Sequence, residues 1–161
     1  FNVTMVQLAA GFCSLINGGY YYQPHVVKEI INARGGVVKE VGVTPLKQNI
    51  TKHTSDYVKA AMVGTIEEGT GGTASVAGYK IGGKTGTAEE SKVRGNHAFF
   101  ISYGPFASPE ICVTVNIPYG YTSSNAAMLA KRAYRLYYGY TSLEDILNAG
   151  ALEVSNVTIG D

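Results

Sequence analysis

Apolar positions follow helical spacing at the start of the chain and strand spacing in its middle, and the two kinds of segment are separated. The first helix is predicted over residues 4–17, because Thr4 and Gln7 form a capping-box pattern and apolar residues continue to the stop at Gly18-Gly19. Few positions in this segment are polar. We therefore expect the helix to be mostly buried.

A surface hairpin and a second helix are predicted next. Residues 20–31 are rich in strand-forming side chains, and a turn at 34–36 leads into a short strand at 37–41. Thr54 has the position of a helix cap, and one face of the segment after it is apolar up to a stop at Gly69. These patterns indicate a hairpin followed by a helix.

Three strand-like runs follow, and short connections join them. They cover residues 79–89, 98–103 and 110–117. Short connections favour an antiparallel meander, because parallel strands need longer crossovers. An amphipathic helix is predicted after the meander, from Ser124 to Tyr138.

Because strands and helices are segregated along the chain, the predicted fold class is α/β of the α+β type, an antiparallel sheet packed against helices. We assign residues 1–140 to a single domain portion and residues 141–161 to a C-terminal tail. In that tail, a capping-box pattern at 141–144 predicts a short helix. The chain begins at Phe1 rather than at Met, and we interpret it as a piece of a longer protein.

The composition describes a folded domain without a strong electrostatic field. Apolar residues make up 45%, charged residues 16%, and the formal net charge is +1, which favours neither nucleic acid nor an anionic membrane surface as a partner. Cys13 and Cys112 lie in apolar patterns and are interpreted as two buried small hydrophobic residues, with a disulfide as an unsupported alternative. No Cys or His cluster has the spacing of metal ligands, so we expect neither a metal nor a cofactor.

Two motifs overlap at residues 78–88. Starting at Gly78, the sequence satisfies G-x-x-x-x-G-K-[ST], a loop that binds nucleotide phosphates. Starting at Lys84, it contains K-T-G, an element of penicillin-recognising serine enzymes. A phosphate loop needs a buried strand before it and a helix directly after it. Residues 69–78 are instead a Gly- and Thr-rich connection, and Gly86 lies where the helix would begin, so the context favours a strand.

Several further segments accompany this strand in a fixed order. They are Val3-Thr4-Met5-Val6-Gln7-Leu8-Ala9, Asn17-Gly18-Gly19, Pro24-His25-Val26-Val27, Gly69-Thr70-Gly71, Gly82-Gly83-Lys84-Thr85-Gly86-Thr87-Ala88-Glu89 and Phe99-Phe100-Ile101-Ser102-Tyr103-Gly104-Pro105. With these segments the chain resembles the C-terminal half of the transpeptidase domain of class B penicillin-binding proteins, the cell-wall D,D-transpeptidases. Met5 replaces the proline that is usual in the family, and residues 141–161 lie outside the resemblance.

The resemblance implies acyl transfer through a serine, with the K-T-G strand as one wall of the cleft. Lys84 is expected to supply positive charge to the hydroxyl network and to the terminal carboxylate of the substrate. Thr85 and Thr87 are expected to offer hydroxyls to that carboxylate, and the Thr87 N–H to be one donor of the oxyanion hole. Gly86 leaves room for substrate along the strand. The implied catalytic residues are Lys84 and Thr87, and the implied substrate-binding residues are Lys84, Thr85, Gly86 and Thr87.

Two other motifs of the family do not occur at their expected places. No serine of this chain has a lysine three residues later, so the S-x-x-K that supplies nucleophile and base is absent. Ser123-Ser124-Asn125 spells S-x-N but follows K-T-G, and we interpret it as a helix cap. We therefore expect the chain alone to be inactive, and we expect its partner to be the N-terminal half of the domain or a self-associated copy. The strand at 110–117 is expected to have an unpaired apolar edge.

By resemblance, the complete domain binds peptidoglycan stem peptides that end in D-Ala-D-Ala, and β-lactams, at the extracytoplasmic face of the bacterial membrane. Three alternatives stay open. A serine β-lactamase fragment would share K-T-G, a nucleotide-binding module would use the overlapping phosphate loop, and a non-catalytic domain would bind peptide on the same strand without chemistry.

Overall fold

Helices and strands follow the predicted order in the computed structural model, which describes residues 3–90 and 92–148. The helices are α1 Met5–Ile16, α2 Lys52–Glu67, α3 Ser123–Tyr137 and α4 Leu143–Asn148, with a 3₁₀ turn at Gly72–Ala74. The strands are β1 Tyr20–Tyr21, β2 Glu29–Ile31, β3 Val37–Glu40, β4 Lys47–Gln48, β5 Gly82–Ala88, β6 His97–Gly104 and β7 Ile111–Ile117.

The central sheet is an antiparallel meander of β5, β6 and β7 in that order. β5 pairs continuously with β6, from Gly82 opposite Tyr103 to Ala88 opposite His97, and β6 pairs with β7 over its length. β5 and β7 are therefore the two edges of the sheet that the structure describes. Within the described residues β7 pairs with β6 alone, and both the free edge predicted at 110–117 and the identity of its partner stay predictions.

Helices cover both faces of the sheet. On one face, Phe100 of β6 is buried against small residues of α3, namely Ala126, Ala127 and Ala130. On the other face, Phe12 of α1 packs with Tyr103 of β6. Even- and odd-numbered residues of β6 thus face different helices, as the alternation of a strand requires. The predicted class, an antiparallel sheet packed against helices, is confirmed.

α1 has the predicted capping box. The Gln7 N–H donates to Thr4 Oγ1 at 3.2 Å, and the Thr4 N–H donates to Gln7 Oε1 at 2.9 Å. The expectation that this helix is mostly buried is wrong, because only Phe12, Ser14 and Ile16 are buried and Val6 is 61% exposed. All three buried residues lie in the C-terminal half of α1, which packs on the sheet.

α2 begins earlier than predicted. Thr51 caps it instead of Thr54, since Thr51 Oγ1 accepts the Thr54 N–H at 3.2 Å. The buried Ser55 then joins α2 to the end of α1. Its hydroxyl donates to the Leu15 carbonyl at 2.7 Å and accepts from the Gly18 N–H at 3.0 Å.

Other boundaries differ by a few residues. The predicted hairpin is present as β2 and β3, but β1 pairs with β4, a two-residue strand that the sequence pattern does not reveal. The K-T-G strand begins at Gly82 rather than at 79, because Tyr79 closes a turn by donating its N–H to the Val76 carbonyl. α3 begins at Ser123 and its cap is Thr122.

The end of the described chain contains the short helix α4. It lies where the capping-box pattern predicts a helix, and the Ser142 hydroxyl donates to Asp145 Oδ2 at 2.7 Å. Residues 149–161 of the predicted tail lie outside the described residues, and the division between 140 and 141 stays a prediction. Across residues 3–90 and 92–148, every helix is too short or too polar to cross a membrane.

The two cysteines are neighbours in space. Cys13 of α1 and Cys112 of β7 are half-buried free thiols, and each shifts the pKa of the other. The interpretation of both as buried hydrophobic residues is therefore incomplete, because each thiol also has the other as its polar partner.

Candidate functional site

β5 presents the K-T-G residues at an open edge of the sheet. Lys84 and Thr87 are exposed, and Thr85 and Gly86 are half-buried. Directly paired residues of an antiparallel sheet share a face. Thr85 and Thr87 therefore lie on the α3 face of the sheet, and Lys84 and Gly86 lie on the α1 face. Among the described residues, no further strand pairs with the outer edge of β5.

The three glycines of β5 serve two different purposes. A Cβ at Gly82 would lie 2.5 Å from the Tyr103 ring, and a Cβ at Gly83 would lie 2.9 Å from the Ile101 carbonyl oxygen. At Gly86 the nearest atom would be Phe99 Cβ at 3.3 Å. The first two glycines are thus required by packing inside the protein, whereas a Cβ at Gly86 would make a single, milder contact that a small shift of Phe99 relieves.

Lys84 and Thr85 make short contacts at this edge. Lys84 Nζ donates to the carbonyl oxygen of Thr85 at 2.7 Å. Thr85 Oγ1 lies 2.8 Å from Thr70 Oγ1, in the turn between α2 and the 3₁₀ turn. The site therefore includes a further hydroxyl, that of Thr70, besides those of the K-T-G strand. The sequence analysis identifies Thr70 only as part of a Gly-Thr turn.

The position of Lys84 and Thr85 also decides between the two overlapping motifs. A phosphate loop places its Lys-Thr pair at the start of a helix, where backbone N–H groups converge on the ligand. Lys84 and Thr85 lie inside an extended strand that continues to Ala88, and the next regular element is another strand. The nucleotide-binding alternative is therefore wrong for this segment.

A polar cluster lies beyond the end of β5. Glu90 Oε2 accepts a hydrogen bond from the Tyr119 hydroxyl at 3.1 Å and lies 3.2 Å from His97 Nε2. The Arg94 guanidinium donates to the same Tyr119 hydroxyl at 2.9 Å. The hydrogen bonds from Tyr119 and His97 lower the pKa of the Glu90 carboxyl. This cluster connects the β5–β6 turn to the β7–α3 turn, and it was not predicted because its members come from distant parts of the sequence.

The S-x-N triplet takes part in the start of α3. Thr122 caps the helix through the Ser124 N–H, and Asn125 Nδ2 donates to the Gly120 carbonyl at 2.9 Å. The interpretation of the triplet as part of a helix start is consistent with these bonds, although the cap is Thr122. In residues 3–90 and 92–148, no three His, Cys, Asp or Glu side chains are grouped so that they could hold a metal ion.

Comparison with known proteins gives one family for most of the chain. The family model described as the penicillin binding protein transpeptidase domain matches residues 1–136. Stage V sporulation protein D of Bacillus subtilis is 36% identical over 122 residues, which are 72% of this chain and 19% of that protein. The peptidoglycan D,D-transpeptidase MrdA of Acinetobacter baumannii is 29% identical over 148 residues, 83% of this chain and 22% of that protein.

A solved structure with the same fold supports the match. The D,D-transpeptidase domain of a peptidoglycan glycosyltransferase from Eggerthella lenta superposes with a TM-score of 0.73 and is 28% identical, covering 84% of this chain and 32% of that one. The chain spans about a fifth of the length of the two curated relatives.

Proposed function

The chain belongs to the penicillin binding protein transpeptidase family, and from this premise we propose that it forms the K-T-G wall of a serine D,D-transpeptidase site that cross-links peptidoglycan stem peptides. The observation that carries the proposal is the position of Lys84, Thr85 and Thr87 on an edge strand whose outer side is open to a ligand. An extended peptide can add to such an edge as a further strand.

Each residue of the strand has a distinct task. Lys84 supplies positive charge that attracts the terminal carboxylate of the stem peptide and polarises the hydroxyl groups near it. The hydroxyls of Thr85 and Thr87 donate hydrogen bonds to that carboxylate. Gly86 has no side chain, so the peptide backbone can approach the strand closely.

The backbone of Thr87 is the proposed oxyanion donor. Alternate residues of a strand direct their N–H and C=O groups to the same edge, so Thr87 and Thr85 share a direction. The Thr85 carbonyl accepts the Lys84 ammonium at 2.7 Å, which supports a direction away from β6. An N–H in this direction can stabilise the negative oxygen of a tetrahedral intermediate, a contact whose loss typically costs about 100-fold or more in rate.

The nucleophile comes from outside this chain. A serine oxygen attacks the carbonyl carbon of the D-Ala-D-Ala bond, the bond to the terminal D-Ala nitrogen breaks, and that amine leaves with the serine proton. The amine of a second stem peptide then attacks the ester, forms the cross-link and restores the serine. A β-lactam follows the first step, but its opened ring keeps the leaving nitrogen attached.

The missing groups are supplied, in this proposal, by the N-terminal half of the domain, which also pairs with the free edge of β7. The 161-residue chain by itself then forms no acyl-enzyme, because it has no S-x-x-K. Intact mass measurement after incubation with penicillin tests this point, and a stable adduct on the isolated chain would contradict it. A self-associated copy cannot restore activity, since it lacks the same motif.

The function itself is tested on the full-length protein in which the chain occurs. We expect one penicillin per molecule as a slowly hydrolysed adduct, and release of D-Ala from a peptide that ends in D-Ala-D-Ala. Rapid β-lactam turnover would instead identify a serine β-lactamase, and reversible peptide binding without an adduct would identify a non-catalytic domain. The proposed location is the extracytoplasmic face of the bacterial membrane, where peptidoglycan is assembled.

A further inference from the structure

Thr70 lies outside the K-T-G strand but contacts it directly. Its hydroxyl oxygen is 2.8 Å from that of Thr85, although 15 positions separate the two residues in sequence. Thr70 is exposed and Thr85 is half-buried, so this bond lies at the surface of the cleft wall and not in the core. A surface hydroxyl pair of this kind contributes little to folding and is free to serve a ligand.

The turn that carries Thr70 is held firmly on α2. The Gly71 N–H donates to the Thr65 carbonyl at 2.9 Å. A Cβ at Gly71 would lie only 2.8 Å from Cδ1 of Ile66, a core residue that is 5% exposed. Because Gly71 is packed this closely, the turn has a fixed position relative to β5, and Thr70 is directed at Thr85.

The numbers of protons and lone pairs on Thr70 and Thr85 indicate which hydroxyl donates when substrate is present. A threonine hydroxyl has one proton and two lone pairs, whereas a carboxylate only accepts. When Thr85 donates its proton to a carboxylate, its oxygen can still accept one, and Thr70 is at the right distance to supply it. A chain of two hydroxyls then points toward the negative charge, and each bond polarises the next.

We propose that Thr70 is a positioning residue for substrate recognition: it donates to Thr85 Oγ1 and so directs the Thr85 proton to the carboxylate of the stem peptide or β-lactam. The inference rests on the proposed function, since it assigns a task to a residue of the same site. Without Thr70, the Thr85 hydroxyl at the sheet edge can rotate between staggered positions, and only some of them point at the ligand.

The test compares acylation rates of the full-length protein with penicillin and with its methyl ester, which lacks the negative carboxylate. Thr70→Val keeps the shape of the side chain and removes the donor. We expect the second-order acylation rate with penicillin to fall about 3- to 10-fold, the range of one ordinary hydrogen bond, and the rate with the ester to change less. Thr70→Ser should restore most of the rate.

Two controls separate the outcomes. Thr73→Val changes a nearby exposed threonine of the 3₁₀ turn and should leave both rates unchanged. Thr85→Val should abolish the effect of Thr70→Val, because the two hydroxyls act through one contact. Thermal melting reports whether Thr70→Val folds, and if it does not, Thr70→Ala, which also removes the donor, takes its place in the same comparison.

Three results would overturn the inference. If wild-type protein is not acylated at all, the proposed function fails and the inference fails with it. If wild-type protein is acylated and Thr70→Val matches it with both compounds, only the role of Thr70 fails. If Thr70→Val slows both compounds equally, Thr70 is structural and does not direct the Thr85 proton to a carboxylate.

Discussion

The ring of Tyr103 lies so close to Gly82 that a Cβ at Gly82 would be 2.5 Å from its Cε1 atom. Tyr103 is fully buried, and its hydroxyl donates to the Lys59 carbonyl of α2 at 2.8 Å. Both ends of this side chain are therefore fixed. Gly82, in the motif segment before Lys84, is required by the fold itself.

We expect Gly82→Ala to lower the free energy of unfolding by about 1–3 kcal/mol, because the added methyl group forces the Tyr103 ring or the strand to move. Urea unfolding of the isolated chain measures the effect. Gly86→Ala is the matched control in the same strand, because its Cβ would meet only Phe99 Cβ at 3.3 Å. That variant should change stability by less than about 1 kcal/mol and should slow acylation in the full-length protein. Equal stability of the two variants would contradict this account of the glycines.

Tyr134 and Ser102 form a buried hydroxyl pair between α3 and β6. The Tyr134 hydroxyl donates to Ser102 Oγ at 3.0 Å, and Ser102 donates to the Val113 carbonyl at 3.3 Å. We expect Tyr134→Phe to cost about 1–2 kcal/mol. Urea unfolding at pH 7 measures this change, and Ser102→Ala in the same background tests coupling. A loss below about 0.3 kcal/mol would contradict the assigned bond.

Alkaline pH should lower the free energy of unfolding, because the hydroxyl of Tyr134 ionises less readily in the folded than in the unfolded chain. Burial raises the pKa of the Tyr134 hydroxyl above its ordinary value of 10.0. A raised folded-state pKa gives stability that is complete below pH 10 and is lost as the pH rises further, because the unfolded chain releases the proton first. Urea midpoints between pH 8 and pH 11 should therefore fall above about pH 10. The fall should be shallower in Tyr134→Phe, although Tyr103, whose pKa burial also raises, keeps part of it.

A separate prediction, at lower pH, follows from the pair of thiols Cys13 and Cys112. The hydrogen bond from Cys112 lowers the pKa of Cys13 from 9.0 to about 7, and the same bond with burial raises the pKa of Cys112. Between about pH 7 and pH 9 the folded protein has lost a proton that the unfolded chain retains, so stability rises with pH. Above pH 9 the unfolded chain also loses the Cys112 proton, so this contribution falls.

Cys112→Ala tests the assignment of that rise. Removing the donor leaves the half-buried Cys13 with burial as its main influence, which disfavours the thiolate. The increase in urea midpoint between pH 7 and pH 9 should disappear in Cys112→Ala and persist in part in Cys112→Ser, which still has a donor. A rise of the same size in Cys112→Ala would contradict the assignment to this pair.

The free edge of β7 should be visible in hydrogen exchange. In an edge strand only every second N–H bonds to the neighbouring strand. We therefore expect alternate amides of Ile111–Ile117 to exchange rapidly in the isolated monomer, and to become protected in the full-length protein, where the N-terminal half pairs with this edge. Uniform protection in a verified monomer would contradict the open edge.

Short sequence patterns predict the helices and strands of this fold better than the contacts between distant residues. The capping box of α1 is encoded by Thr4 and Gln7, only three positions apart, and the β5–β7 meander follows from its short connections. β4 was missed because two residues show no periodicity. The sequence pattern indicates Thr54 as the cap of α2, but Thr51 is an equally suitable residue type, and the hydrogen bond from the Thr54 N–H to Thr51 Oγ1 identifies Thr51 as the cap.

The candidate site likewise has a part that the sequence predicts and a part that it does not. Its K-T-G residues form a contiguous motif, so the sequence alone is enough to propose Lys84 to Thr87 as site residues, and their roles stay a prediction. Thr70 opposite Thr85, and Glu90 between His97 and Tyr119, are brought together by tertiary packing. Contacts of this kind depend on how the helices and turns pack against the sheet. No local pattern in one sequence specifies that packing.

The central claim is that the strand centred on Lys84 is the wall of an acylation site, and the rate at which full-length Lys84→Ala forms a penicillin adduct tests it most directly. Intact mass measurement over time gives that rate, and Lys39→Ala, which changes an exposed lysine of the β2–β3 hairpin, is the control. We predict about 100-fold slower adduct formation for Lys84→Ala, with Lys39→Ala equal to wild type. An adduct that forms at the wild-type rate in Lys84→Ala would contradict the claim.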